Sequence, residues 1–479
     1  MSDSLVIHVD ESAVGIGKTE NAMQRSLRVP ARWLFAVERR DAVVELANRF
    51  RASPTKPNDV KIVSIISNQS VRGLSVRQEV EALPDRYANG HVIVICTHEA
   101  LLMSDLSGFA QWHLVIDEVP RFLITQEIQS KLDHAFFSAN YELAPIDEKW
   151  SVVLLTDAGR RISGSDLFQD DSHRHLRLFH QRVSRSDARD RPVICNLRHW
   201  EEMRQPNVKW VWWSVFSLRQ LEPFASVRCL GNGFMSAIST KIMRAWEPEV
   251  IWQPHTARST RPLTSRRVSV RYFSQDRPAS KSFFESDKGQ AALRAIAQNV
   301  AETAPADRLI WSSNDLVKGI LSEHLPTSAY ATPKQAGTCR WMDRTHAAMI
   351  YAAKPNPSIR AILSAIGVDH HAWVESTEYE TVLQFVTRTS IREASSGEHA
   401  TVFVFDRWQA EYLMAYFRTQ DHINAESKWI DLGLDFAPVP CGRKPQHVSA
   451  EEAGRKAAAR RAKKAAYERA RRQRVKNAA

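Results

Sequence analysis

The sequence predicts an α/β protein built from two parallel-sheet units in tandem and closed by a basic tail of high helix propensity. Three observations predict it. Through residues 1–158, short Val/Ile/Leu-rich runs alternate with stretches whose apolar residues recur at helical spacing. The same alternation restarts after a polar, proline-containing segment at 253–267 and continues to about 425. From Arg443 to Ala479 there are 13 Lys/Arg and 3 Asp/Glu, so almost all of the chain's net charge of +11 sits in that tail. Strands that alternate with helices form sheets covered on both faces, and such sheets bind ligands at the carboxyl ends of their strands.

In the first unit the strand candidates are Leu5–Val9, Trp33–Val37, Val60–Ile66, His91–Cys96 and Leu114–Ile116. Arg39–Arg51 lies between two of them with Ala42, Val43, Leu46 and Ala47 on one helical face. Ser151–Leu155 reads as a further strand of the same sheet. Residues 160–191 read as a polar insertion with weak periodicity. Within it His173 and His175 have no partner residues at metal-ligand spacing and read as loop histidines. Trp210, Trp212 and Trp213 read as packing aromatics, with base stacking the other use of such a cluster. Gln253–Arg267 reads as a linker. Strands Val268–Phe273, Leu309–Trp311, Ala347–Ala352 and Thr401–Phe405, with a helix over Gly289–Ala301, make the second unit. The expected boundaries are 1–252, 253–267, 268–425 and a C-terminal extension 426–479.

Hydrophobic content of 43% and charged content of 25% are those of a globular chain. No apolar run is long enough to cross a bilayer, and no apolar leader precedes the first strand. The five cysteines are scattered, without CxxC spacing, which argues against a zinc site or a disulfide framework. A reducing cytoplasm is the expected location.

The first strand runs into a small-residue loop that ends in Gly17-Lys18-Thr19 and opens a helix. This is how a phosphate-binding loop is built, with backbone N–H groups and a helix N-terminus facing an anion. Lys18 would place a charge at the β/γ-phosphates and the Thr19 hydroxyl would ligate Mg2+. The full pattern asks for Gly five residues before Gly17, and Ser12 stands there; Gly15 and Gly17 keep the backbone free to curl. The expected nucleotide-binding set is Ser12, Gly15, Gly17, Lys18 and Thr19.

The run His113-Leu-Val-Ile-Asp117-Glu118 ends an apolar strand in two acids. Asp117 would hold Mg2+, directly or through water, and Glu118 would polarise the water that attacks a γ-phosphate. In the second unit, Gln384, Arg388 and Arg392 are four residues apart, so a continuous helix would project all three along one face. Phe385, Val386 and Ile391 lie between them, so that helix should be packed, and buried arginines call for an anion. A triphosphate held by the first unit would supply it, with Arg388 and Arg392 as arginine fingers.

Taken together, these motifs resemble a superfamily 2 DExx-box helicase or translocase with two RecA-like domains, of the phage or mobile-element kind. The resemblance covers residues 1–425. Gly17-Lys18-Thr19 resembles motif I, Trp33–Glu38 motif Ia, and Asp117-Glu118-Val119-Pro120 the DExx box. Thr97-His98-Glu99-Ala100-Leu101 resembles the motif that grips the nucleic-acid backbone, so Thr97 and His98 are expected there. Trp311-Ser312-Ser313-Asn314 resembles motif IV, Thr332 to Gly337 motif V, and Gln384, Arg388 and Arg392 motif VI. Motif VI here has Thr387 where Gly is usual, and its second arginine falls four residues on where three is commoner, so which arginine meets the γ-phosphate stays open. Motif III has two candidates, Thr156-Asp157-Ala158 and Leu230-Gly231-Asn232. The phosphate loop starts within twenty residues of Met1, too early for an upstream adenine-specifying Gln motif. The resemblance implies ATP with Mg2+ as cofactors, a catalytic set of Lys18, Glu118, Gln384, Arg388 and Arg392, and movement along nucleic acid, DNA before RNA. It also allows a replication or mobile-element protein partner; oligomeric state is not readable.

Two other readings share part of this pattern. A terminase-like DNA-packaging ATPase would need acids at the strand ends of the second unit, where Asp343, Asp369 and Asp406 are the nearest. A nucleotide-switched nucleic-acid adaptor would not need Lys18, Thr19, Asp117 and Glu118 all together. The tail has Ser449 and Glu452 in capping-box spacing and then mainly Ala, Arg and Lys. Arg455, Lys456, Arg460, Arg461, Lys463 and Lys464 are its candidate phosphate contacts, as a salt-sensitive tether.

Overall fold

The computed structural model describes residues 4–434 apart from 14, 67–74, 130–133, 187–190, 205–208, 258–261 and 334–339, together with 436. The tail contacts expected from Arg455 to Lys464 lie outside the described residues. So does most of the run from Thr332 to Gly337. In chain order the strands are Val6–Asp10 (β1), Arg32–Val37 (β2), Lys61–Ser64 (β3), Val92–Thr97 (β4), Trp112–Asp117 (β5), Leu123–Gln129 (β6), Tyr141–Pro145 (β7), Ser151–Leu155 (β8), Val193–Cys195 (β9), Lys209–Val215 (β10), Ser226–Leu230 (β11), Ile251–His255 (β12), Arg266–Ser274 (β13), Leu309–Ser313 (β14), His346–Ile350 (β15), Ala400–Asp406 (β16) and Ile423–Trp429 (β17).

They form two parallel sheets in tandem. The first has the order β12-β1-β11-β5-β2-β4-β3 and the second β14-β15-β16-β13-β17. The central strands are the apolar runs that the sequence singles out. Leu34, Phe35 and Ala36 of β2, and Ile93, Val94 and Ile95 of β4, are fully buried between helices on both faces. The edge strands β12 and β17 escape such a reading, because an edge strand needs no apolar run. Gln253–His255, expected in a linker, pair with His8–Asp10 of β1 as part of β12, in the register Val6↔Ile251 to Asp10↔His255.

Between β5 and β11 the chain builds a separate antiparallel sheet, β6-β10-β9-β8-β7. Ser151–Leu155 belongs here and not to the parallel sheet: Tyr141–Pro145 and Val193–Cys195 flank it antiparallel. Its alternation of buried and part-exposed residues is that of a strand covered on one face. Residues 160–191 include the helices Gly164–Gln169 and Arg177–Val183; Leu176, Phe179 and Val183 are buried in the cluster under this sheet, and Leu167 is buried as well. His173 is a turn residue, bonded to Asp170 at 2.6 Å and stacked on Phe136.

Trp210, Trp212 and Trp213 are 0%, 0% and 2% exposed, so no base can reach them. Trp212 touches Phe179 with centroids 5.6 Å apart, and Trp210 packs edge-on to Phe137 and Phe179. Replacing Trp212 by alanine is expected to destabilise the protein by about 3–5 kcal/mol, as large-to-small changes in packed cores do. Denaturant unfolding followed by tryptophan fluorescence measures it.

The two parallel-sheet lobes share buried surface. Ile359, Ile362, Leu363 and Ile366, on helix Pro357–Ile366 of the second lobe, join the cluster that holds Ile238, Ile242 and Met243 of helix Ile238–Trp246 in the first. Lys241 pairs with Glu375 at 3.1 Å beside it. On the insertion side, Ser358 Oγ donates to Glu127 Oε2 at 2.9 Å. These contacts join the two lobes through helices Ile238–Trp246 and Pro357–Ile366. Among the described residues no helix is long and apolar enough to cross a membrane.

Candidate functional site

β1 ends at Asp10 and the chain turns through residues 11–17 into helix Lys18–Arg28. Gly15 and Gly17 take φ of 85° and 92°, the left-handed region that a side chain disfavours. At Gly15 an added Cβ would stand 3.4 Å from Cγ of Arg392, an ordinary contact, so the backbone angle is what calls for glycine there, and Arg392 of the second lobe packs beside the loop. Lys18 Nζ donates to the carbonyls of Ser12 (2.6 Å) and Ala13 (3.0 Å), which keeps the ammonium curled over the loop. Burial lowers its pKa, while Glu118, Asp10 and Asp117 hold it up.

Ser12 serves the loop differently from the expected nucleotide contact. Its side chain is buried, bonded to the Asp10 carboxylate, and accepts the Ala257 N–H at 2.7 Å. It ties the loop to the segment after β12 and offers the site only its carbonyl. The residue that stands where a glycine is usual is therefore a fastening.

β11 lies between β1 and β5, and β5 ends at Asp117. The Thr19 hydroxyl donates to Asp117 Oδ2 at 2.9 Å. Glu118 has φ of 70°, uncommon for a residue with a side chain, and its N–H is taken by Leu230 O at 2.8 Å. Burial and the neighbouring Glu118 push the Asp117 carboxyl up to about 7, against the Thr19 hydroxyl and Lys18. Glu118 is raised too, by burial and then Glu38; Arg388 is the strongest charge pulling it back, followed by Lys18 and more weakly Arg392.

The second lobe reaches the same place. A cleft of about 500 Å³ is lined by Gly15, Gly17, Lys18 and Thr19, by Asp117 and Glu118, by Asn232, and by Gln384, Arg388 and Arg392. The three second-lobe residues do not share one helix, as their spacing predicts. The helix Glu380–Val386 stops at Thr387, and Arg392 lies in a separate 3-10 turn, Ser390–Arg392. Hydroxyls compete with the helical ladder here. Thr387 Oγ1 donates to Leu383 O (2.8 Å), Thr389 Oγ1 to Val386 O (2.7 Å), and the Ser390 N–H goes to Arg344 O (2.7 Å). Both arginines still face the cleft. Arg388 is 5% exposed, and Arg392 is partly buried against Gly15.

Arg266, which the sequence places in the linker, opens β13 and holds this arginine loop in place. It is buried and donates to the carbonyls of Ser390 and Glu393, on either side of Arg392. An isolated Arg in a polar, proline-containing segment carries no signal of such a task.

Of the two motif III candidates, Leu230-Gly231-Asn232 ends the strand next to Asp117, whereas Thr156-Asp157-Ala158 follows β8 in the insertion. Asn232 Nδ2 donates to Glu380 Oε1 (3.4 Å), which also accepts from Gln384 Nε2 (3.2 Å); Tyr412 Oη donates to Glu380 Oε2 (3.1 Å). Glu380 therefore links the first lobe to the helix that carries Gln384. Nothing in its sequence setting marks it. Burial pushes its carboxyl up to about 7, with Glu118 adding to the rise. A carboxyl whose folded pKa exceeds its unfolded value favours the fold when protonated. That stability is complete below the unfolded value and is lost as pH rises through about 7. Melting temperature is thus expected to fall between acidic and neutral pH. In Glu380→Gln the fall should be shallower but not absent, because Asp117, Glu118 and Asp406 shift the same way.

Thr97 and His98, the expected nucleic-acid pair, both make local bonds at the end of β4. Thr97 caps helix His98–Met103, its hydroxyl accepting the Ala100 N–H at 3.2 Å. His98 is 6% exposed, and its Nε2 bonds the Asp117 carbonyl at 2.9 Å. Burial pushes its pKa down to about 4, so it stays neutral and braces the acid strand. Thr332 is exposed just beyond the Trp311↔Tyr330 bridge beside β14. Asn314 exchanges two hydrogen bonds with the Ala352 backbone and joins the ends of β14 and β15. In the same lobe Asp406 caps helix Arg407–Arg418 and accepts the Ala279 N–H, so its carboxylate is a structural cap. Asp343 pairs with Arg344, and Asp369 caps helix His370–Val374.

No protein-family model matches the sequence, and no curated protein matches it. Among solved structures the chain is similar to an XPD helicase, with 11% identity and a TM-score of 0.48, over 89% of this chain and 97% of that one. It is similar to S. tokodaii Xpd4 with 10% identity and a TM-score of 0.47, over 88% and 96% of the two chains. It is also similar to RecG bound to a three-way DNA junction, with 10% identity and a TM-score of 0.34, over 87% and 42%.

Proposed function

We propose that this chain is an ATP-dependent nucleic-acid helicase or translocase that hydrolyses ATP between its two lobes and moves along DNA, with RNA as the other track. The observation that carries this reading is the convergence on one cleft of Lys18, Thr19, Asp117 and Glu118 from the first lobe with Gln384, Arg388 and Arg392 from the second. A nucleotide binder that merely stored or sensed ATP would need the loop alone. Cations brought from a second lobe serve a charge that grows on the terminal phosphoryl group.

Backbone amides of the loop and Lys18 hold the β- and γ-phosphates. Thr19 and Asp117 form an oxygen donor pair, 2.9 Å apart, of the type a hard divalent cation prefers. Mg2+ held there supplies neutralisation of phosphate oxygens. Glu118, its pKa raised by burial, accepts the proton of the attacking water. Arg388 meets the charge that develops on the far side. Arg392, packed on Gly15, ties loop position to lobe position.

The nucleotide therefore binds better when the lobes are together than apart. That difference in affinity is the work available to move a strand lying across both lobes. Contacts along such a strand would go mainly to phosphate and sugar and tolerate sequence. Parallel ATPase assays with single- and double-stranded DNA and RNA test this reading. Turnover that rises severalfold with one of these polymers is expected; turnover indifferent to all of them would refute it.

A further inference from the structure

We propose that the outer face of the insertion, built by residues 160–178, binds an unpaired nucleic-acid strand, with Phe168 as a stacking ring and Arg174 and Arg177 as its flanking cations. This deepens the translocase reading and rests on it. Helix Gly164–Gln169 has an inner and an outer side. Leu167 is 1% exposed, while its neighbour Phe168 is 49% exposed. An aromatic ring left in water forgoes the gain of burial, so its setting matters. The guanidinium carbons of Arg174 and Arg177 lie 5.0 and 5.1 Å from the Phe168 ring centroid, within cation–π range.

Arg174 is fixed there: its Nε donates to Phe168 O at 3.0 Å and its Nη2 meets Asp171 at 3.1 Å. Arg177 makes no ion pair among the described residues and keeps its charge for a ligand. Arg160 and Arg161 are exposed in the same segment. The acids nearby are engaged locally. Asp166 completes the Ser163 cap, and Asp170 holds His173 and the Ser172 N–H.

An apolar protein partner would want a broad greasy patch. Here Phe168 and Leu178 are the large apolar side chains exposed in this segment, and Arg174 and Arg177 flank the Phe168 ring. Guanidinium groups around one aromatic face suit phosphates alternating with bases. A duplex hides its base faces, so the ring selects an unpaired strand.

The test uses the full chain without nucleotide. Anisotropy measures binding of oligothymidylate and oligouridylate, and 5-iodouracil versions of both are crosslinked and mapped. The expected result is a crosslink within residues 160–178, lost in Phe168→Ala, with affinity weakened about five- to a hundredfold; Phe168→Trp restores both. The stronger of the two oligomers names the polymer. Basal ATP turnover, read in parallel, should stay unchanged in both variants. If the wild-type chain binds strands and Phe168→Ala binds equally, or the crosslinks fall elsewhere, this inference fails and the translocase reading stands. If the wild-type chain binds neither oligomer, this inference fails, and the ATPase assay with duplexes decides the translocase reading separately.

Discussion

Arg388→Ala is expected to lower nucleic-acid-stimulated ATP turnover by about 10³–10⁵-fold, the scale of an arginine finger. The reason lies in where Arg388 stands. It is 5% exposed, lines the cleft with Lys18 and Thr19, and is the strongest charge acting on the Glu118 carboxyl. A guanidinium held there from another lobe acts most on charge that appears during phosphoryl transfer, so KM should change far less than kcat. Arg388→Lys should recover only part of the loss, because an ammonium cannot present a planar fork. Arg392→Ala should show the opposite split. Its side chain packs on Gly15 and acts only weakly on Glu118, so nucleotide affinity should suffer more than turnover. Steady-state kinetics with labelled-nucleotide binding separate the two. Equal losses in kcat from both variants would show that the arginines act as one unit.

Glu118→Gln is expected to reduce turnover by about 10²–10⁴-fold while nucleotide binding is kept or tightened. The carboxylate is the only part of the side chain that can take a proton from water, and glutamine keeps its shape without that capacity. Binding should not weaken, because the change removes a negative charge that the cleft holds at a cost. Burial and Glu38 already raise this carboxyl, and a triphosphate brings further negative charge toward it. The backbone should tolerate the change, since the φ of 70° at this position is set by the chain turning out of β5. A variant that binds nucleotide normally and still hydrolyses it at the wild-type rate would remove Glu118 from the chemistry.

The elements that could be read in advance are those whose own residues carry a strong local preference. β1, β2, β4, β5, β14, β15 and β16 are short apolar runs, and their observed limits lie within a few residues of the expected ones. The glycine loop that opens the first helix at Lys18 and the acidic end of β5 at Asp117 were legible because both are local constructions. The antiparallel insertion was harder. Ser151–Leu155 has the same composition in either kind of sheet, and only its partners make it antiparallel. The arginine segment misled in its local form, since periodicity does not register threonine hydroxyls that bond carbonyls three or four residues back, where the helix ends at Val386.

The hydrogen bond of His98 was hidden for a related reason. A histidine after a strand looks alike whether it points to solvent or, as here, bonds the Asp117 carbonyl. Ser12, Arg266, Asn232 and Glu380 gained their tasks only from the assembled fold. Ser12 fastens the loop to Ala257, Arg266 grips the carbonyls of Ser390 and Glu393, and Asn232 meets Glu380 across the lobes. Residue order along the chain thus settles which segments become strands and where the glycine loop turns into the first helix, because hydrophobic spacing and backbone freedom act over a few residues. Which side chains share the cleft is settled in three dimensions, since buried hydrogen bonds and charges take their partners from segments hundreds of residues apart.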